Sequence, residues 1–391
     1  MKINKKDLHI EQVKEQVSLI MASETSLAVH GKTVSFKPAR LVLVLALALI
    51  ILVAVVNLLL IPSKKPHTVD MNFESGNTYT MQPYNNDLLM YNNRHIKAVN
   101  KKGETLWNID LPLSIPHISS AGNYILAVDL SGNNYAGLYK KGVLVQEFKL
   151  GNDIISADVN KKGNVVFATS TNGYKGKVTV FDKKGRELFA WNSGEGYLMD
   201  VAINNNGKYV AAAQLLSDAE NVSSRIQFID IHRKKVVRTA DRTDTLVSQL
   251  RYADNRLLSV SDSELCGFTE NGREQYVVSF SGKKPEKFDI SSNDLLTFVT
   301  GDNKGNTVLE IYNTRGKLKG KYISGNGINT LSVSGDTIVI SRNRDIMYIN
   351  YRGKLKKKYV CSHDIKSVGI YGNGKTVMAA GSTAADIMTI K

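Results

Sequence analysis

KVTVFDKKGRELFAW, residues 177–191, sets two short β-rich runs on either side of a tight polar turn, Asp182-Lys183-Lys184-Gly185. An Asp or Asn at the first position can cap such a turn through its side chain. Gly closes it because the last position needs positive φ, which Gly adopts without strain. One hairpin of this kind is ordinary; its repetition decides the fold. The same turn recurs as NKKG (100–103), YKKG (139–142), TENG (269–272), NTRG (313–316) and NYRG (350–353), with IDIHRKKVVRT (229–239) as a Gly-free version.

Aromatics fall four or six residues past the closing Gly: Trp107, Phe148, Phe189, Trp191, Tyr276, Tyr322 and Tyr359. Four and six have the same parity, so on a strand these side chains share one face. A second repeated line precedes each hairpin: DVNKKGNVVFATS (158–170), AINNNGKYVAAAQ (202–214), RYADNRLLSVSDS (251–263), SVSGDTIVISRN (332–343) and GIYGNGKTVMAAGS (369–382). Chained together, the two lines make a four-stranded unit that starts near residues 77, 117, 154, 197, 246, 286, 328 and 365. A four-stranded period of about 41 residues predicts a β-propeller. The expected fold class is therefore all-β: a single propeller of eight four-stranded blades, with seven as the alternative if two irregular units merge. The last unit ends at Lys391 after three strands, and HTVDMNF (67–73) is expected to supply its fourth, which removes the open edges of the ring.

Ahead of the repeats, residues 41–61 (LVLVLALALIILVAVVNLLLI) hold a single polar residue, Asn57. About 20 apolar residues suffice to cross a bilayer as a helix. No small-x-small cleavage site follows, so the segment reads as an uncleaved signal anchor. Lys32, Lys37 and Arg40 before it, against Lys64 and Lys65 after it, favour a cytoplasmic N-terminus. The organisation expected is a cytoplasmic tail at 1–40 with a short amphipathic helix over 6–21, a transmembrane helix at 41–61, a linker at 62–66 and an extracytoplasmic propeller at 67–391. Cys266 and Cys361 have no CxxC or metal spacing and are expected to be free thiols.

AVNKKGETLW (98–107) and VFDKKGRELF (180–189) resemble the blade signature of PQQ-like propellers, and the NNNGKYVAAA line (204–213) resembles the WD40-like hairpin. The layout is similar to that of an uncharacterised family of membrane-anchored propellers of Gram-positive bacteria. That resemblance implies a short inner tail, one span and an exported propeller; it implies no particular activity, since propellers host many.

The quinone-dependent enzymes of this fold carry many tryptophans, an adjacent Cys-Cys pair and a calcium site. This chain has two Trp, and its cysteines are far apart. Its seven histidines are scattered, with no HxH or HExxH. No catalytic residue, metal site or cofactor is expected. The function expected is non-catalytic binding or scaffolding at the cell membrane, with an envelope protein as partner, by analogy with the propeller component of outer-membrane assembly. An enzyme acting on wall polymer or lipid at the channel mouth is the alternative. The net charge of +15 calls for an anionic partner. With the propeller outside, that partner is an anionic lipid or lipid-linked polymer rather than nucleic acid. The residues expected to meet it are Lys101, Lys102, Lys140, Lys141, Lys161, Lys162, Lys183, Lys184, Arg233, Lys234, Lys235, Arg315 and Arg352, all at turns of one end of the ring. The alternative for these lysines, and for those of outer strands such as KLKKKY (354–359), is that they only confer solubility and block edge pairing. At the other end, the loop LLSDAENVSS (215–224) offers Asp218, Glu220 and Asn221 to a protein partner.

Overall fold

The computed structural model describes residues 78–390 apart from 218–221, 254, 291–294, 302–304 and 326, together with the backbone of three short strands, Ala28–Val29, Lys32–Thr33 and His67–Asp70. The chain divides into two compact units, residues 1–65 and 66–391. In the first, Ala28–Val29 pairs antiparallel with Lys32–Thr33. The amphipathic helix expected at 6–21, the anchor at 41–61 and the linker lie outside the described residues. Among those described, no helix is long and apolar enough to cross a membrane.

The second unit is an eight-bladed propeller of eight four-stranded antiparallel sheets. The innermost strands are Thr80–Tyr84, Pro116–Ala121, Ile154–Val159, Tyr197–Ile203, Val247–Ala253, Lys287–Ile290, Thr330–Ser334 and Ser367–Ile370, each within a few residues of its expected start. The innermost strand of blade 8 packs against that of blade 1. Closure follows the expected route. His67–Asp70 is the fourth strand of blade 8, in the register His67 with Ile387 and Asp70 with Ala384.

Burial explains the sequence texture. Second strands lie between neighbouring blades and are covered on both faces, so Tyr124–Asp129 and Val165–Thr169 are buried at every position. That is why they read as unbroken apolar runs with small residues. Outermost strands alternate instead. In Glu274–Ser279 only Tyr276 and Val278 are shielded, and in Thr105–Asp110 only Trp107 and Ile109. The aromatics past each Gly therefore share the inward face.

The repeated turn is a three-residue loop closed by a bulge. At blade 3, Asp182 Oδ1 accepts the backbone N–H groups of Lys184 (2.9 Å) and Arg186 (3.0 Å). Gly185 closes the loop at φ 79°, and the register slips between Val180 and Phe181. Asn100, Asn313 and Asn350 act as Asp182 does. Two turns differ. YKKG is a two-residue turn with Lys140 opposite Val143, and both Lys141 and Gly142 have positive φ (51° and 82°). In the Gly-free turn, Lys234 itself takes the left-handed position, at φ 52°.

Gly has a second reason to be there. A Cβ on Gly316 of blade 6 would lie 2.3 Å from the Tyr276 ring of blade 5. One on Gly142 of blade 2 would lie 2.8 Å from the Trp107 ring of blade 1. At these two joints the aromatic of one blade is stacked under the turn of the next, whereas Gly185 meets the Gln146 side chain and Gly353 the Lys321 backbone; in each case there is no room for a side chain.

Candidate functional site

In an antiparallel blade the first-to-second and third-to-fourth turns share one end of the ring, and the second-to-third loops share the other. This places three regions to weigh: the loop end, the central channel and the turn end.

At the loop end, the excursion expected over 215–224 is mostly sheet. Tyr209–Ser217 and Val222–Asp230 are the longest strands of the ring, paired out to Ser217 with Val222. The hairpin therefore projects as a two-stranded finger rather than a ten-residue loop. Asp218, Glu220 and Asn221 lie outside the described residues.

The channel end of the core carries His117, Asp158, Asp200 and Asp289, from the innermost strands of blades 2, 3, 4 and 6. The three carboxylates are spent on holding blades together. Asp158 Oδ1 accepts the Ser119 hydroxyl (2.6 Å) and Oδ2 the Ile203 N–H (3.0 Å). Asp200 accepts the Ser156 hydroxyl and the Leu250 N–H (2.7 Å). Asp289 accepts the Val333 N–H (2.8 Å). Each staples an inner strand to the next blade. Burial pushes all three pKa values up, that of Asp200 to about 6. Arg251 acts on both Asp158 and Asp289 and holds them back. His117 Nε2 meets the Ala157 carbonyl at 2.8 Å. Among the described residues, no three His, Cys, Asp or Glu side chains gather closely enough to hold a metal ion. Sequence reading missed these staples because a lone Asp in a strand such as IISADV carries no signature of where it points.

The turn end carries the charge. Between blades 2 and 3 the turns form an open cleft of about 690 Å³. It is lined by Lys140, Lys161, Lys162, Lys183, Lys184 and Arg186, with Gly122, Asn123, Tyr124, Asn164 and Asp182. Five of the thirteen basic residues expected to act here thus meet in one place. Arg186 joins them; it sits one residue past the Gly, where the turn motif alone gave no reason to look. Arg315 lines a separate, smaller hollow of about 270 Å³ with Asn255, Arg256, Thr269 and Gln275. Lys101, Lys102, Lys141, Arg233, Lys234, Lys235 and Arg352 line neither. Lys235 begins the fourth strand of blade 4 rather than its turn, and Arg233 lies 3.8 Å from Asp230.

The cleft has a single carboxylate, and Arg186 already holds it: Nε and Nη2 donate to Asp182 Oδ2 at 2.7 and 2.6 Å. Though partly desolvated, Asp182 is kept below its ordinary pKa by the backbone and side chain of Arg186. Lys162 Nζ donates to the Asn206 carbonyl (2.7 Å). Lys140 Nζ lies 5.5 Å from the centre of the Tyr124 ring. None of Lys140, Lys161, Lys183 and Lys184 pairs with a carboxylate among the described residues. The walls are fixed by packing: a Cβ on Gly163 would lie 2.9 Å from the Tyr124 ring and 3.1 Å from the Lys183 Cβ.

Cys266 lies in the third strand of blade 5 and Cys361 just past the fourth strand of blade 7; both are buried and free. Burial pushes the Cys361 thiol up to about 12 and that of Cys266 higher still.

Residues 64–390 match the family of unknown function DUF5711, and the chain belongs to that family. No curated protein matches its sequence. Among solved structures it is similar to the computationally designed Ika8 protein, at 13% identity and a TM-score of 0.57, over 83% of this chain and 100% of that one. It is also similar to BamB from Moraxella catarrhalis, at 12% identity and a TM-score of 0.50, over 84% of this chain and 99% of that one. At these identities the likeness is one of fold.

Proposed function

We propose that this chain is a membrane-anchored, extracytoplasmic propeller that acts as a non-catalytic binding module at the cell envelope. Its basic turn end faces the membrane and its loop end faces a protein partner. One observation carries the reading. The third strand of blade 8, Ala384–Thr389, runs toward the turn end, and His67 pairs with Ile387 near its finish. The chain therefore enters the ring at the basic end. The linker expected at 62–66 is five residues and spans at most about 18 Å. With an anchor at 41–61, the lysine-bearing turns would sit close to the bilayer surface. There each Lys or Arg near anionic lipid contributes on the order of 1 kcal/mol, falling off within a Debye length. Non-catalytic binding is supported by the channel carboxylates, whose oxygens are committed to neighbouring blades.

The test is protease added to intact protoplasts. The reading expects loss of the propeller before the membrane is breached. A propeller that survives until lysis contradicts it.

A further inference from the structure

We infer that the cleft between blades 2 and 3 is a discrete binding site for a compact anion carrying several phosphate groups, rather than one part of a diffusely basic surface. This rests on the reading above only for the direction in which the cleft faces.

Four features single the cleft out. The first is uncompensated charge. Six cations face one carboxylate, which Arg186 neutralises. Elsewhere on this end acids stand among the bases: Glu104 accepts from Asn100, Asp230 lies by Arg233, and Glu270 accepts from Asn204. Lysines gathered without carboxylate partners repel one another, and a bound polyanion relieves that repulsion.

The second is preorganisation. Asn160 Oδ1 accepts the N–H groups of Lys162 and Asn164 (both 3.0 Å), and Asp182 does the same for Lys184 and Arg186. Both basic loops are therefore set before any ligand arrives, which lowers the entropy cost of binding.

The third is donor chemistry. Ammonium groups are compact point charges that suit phosphate oxygens from several directions. The neutral polar residues Asn123 and Asn164 complete the lining.

The fourth is what the cleft lacks. Tyr124 is its one aromatic; Lys140 covers the ring and Gly163 abuts it. No face is left for a base to stack on, which single-stranded nucleic acid would need. The volume of about 690 Å³ lies in the range of small-ligand sites and admits several linked phosphates.

Such phosphates could come from a soluble polymer or from lipid headgroups. The experiment separates them. Full-length protein in uncharged detergent is titrated calorimetrically with inorganic tripolyphosphate at 0.15 M salt. Parallel arms use orthophosphate, a ten-nucleotide single-stranded DNA, and nanodiscs of phosphatidylglycerol. Two triple variants are compared, with thermal unfolding as the check on folding: K161Q/K183Q/K184Q in the cleft, and K101Q/K102Q/R352Q on the same end outside it. The cleft version with Arg at the same three positions is the rescue.

The inference expects tripolyphosphate to bind more tightly than orthophosphate or DNA. It expects the cleft variant to lose at least tenfold in affinity, the outer variant less than threefold, and the Arg version to recover. Stronger binding to nanodiscs, with the same pattern of variants, assigns the phosphates to lipid. Equal losses in the two triple variants overturn the discrete site and leave the membrane-facing reading standing. Tighter binding of DNA, or no binding of tripolyphosphate by the unaltered protein, overturns the inference; the protoplast experiment then judges the broader reading by itself.

Discussion

Tyr276 of blade 5 lies under Gly316 of blade 6, and its hydroxyl donates to the Thr314 carbonyl at 3.0 Å. The repeated turn is thus a joint between blades as well as a hairpin. Gly316 provides both the backbone conformation and the space for the neighbour's ring, as Gly142 does for Trp107.

The two contributions separate by mutation. Gly173 has the same positive φ as Gly316 (81° and 74°) but nothing within 4 Å of a Cβ. Gly173→Ala should cost about 1 kcal/mol from backbone strain alone. Gly316→Ala should cost roughly 2 kcal/mol more, because the ring must also move. Urea unfolding of both variants checks this; equal losses would show that Tyr276 gives way freely.

Ring closure depends on four residues near the start of the second unit. Without His67–Asp70, the edge at Ala384–Thr389 is left unpaired. A chain beginning at residue 78 should unfold at lower temperature than one beginning at residue 66, and should aggregate through that edge. Indistinguishable melting would show that the closing strand contributes little.

Stability should depend on pH through the channel staples. Asp158, Asp200 and Asp289 bind protons more tightly folded than unfolded, since burial disfavours their charge. Their contribution is present at low pH and is lost as pH rises through the folded pKa, about 6 for Asp200. The protein should therefore gain stability from pH 7 to pH 5, with Asp200 contributing about 1 kcal/mol of it. Well below pH 4 the slope reverses. Asp129 is partly desolvated but is held low by the N–H groups of Ile115 and Ser114, and it then loses that advantage. Asp200→Asn should flatten the pH 5–7 limb in thermal melts; an unchanged limb would exclude Asp200 as its source.

Both cysteines should label only after unfolding, and to the same extent with and without reductant, since each is buried and unpaired. Labelling that requires reductant would contradict the blade assignment.

The blades were legible because turn chemistry and strand parity are local. DKKG and its relatives announce a Gly-closed hairpin, and the parity of Trp107, Tyr276 and Tyr359 announces its inner face. The finger at blade 4 was not legible: LLSDAENVSS is polar enough to read as loop, yet Leu215–Ser217 and Val222–Ser224 pair with each other and extend the hairpin. The cleft was half legible. Each lysine is visible in its own turn, but Lys140 and Lys183 become neighbours only when two blades are set side by side. Arg186 joins through its bond to Asp182, which depends on the turn's three-dimensional shape.

Which end of the ring meets the membrane can be read by fluorescence quenching. The most direct measurement places one fluorophore at a time in a background with both native cysteines replaced. It compares Lys183→Cys at the turn end with Gly173→Cys at the loop end, in full-length protein reconstituted into vesicles with quencher-bearing headgroups. With the turn end at the membrane, quenching should be strong at position 183 and weak at 173, and the difference should shrink when anionic lipid is replaced by neutral lipid. Equal quenching at both positions, or stronger quenching at 173, would contradict that placement.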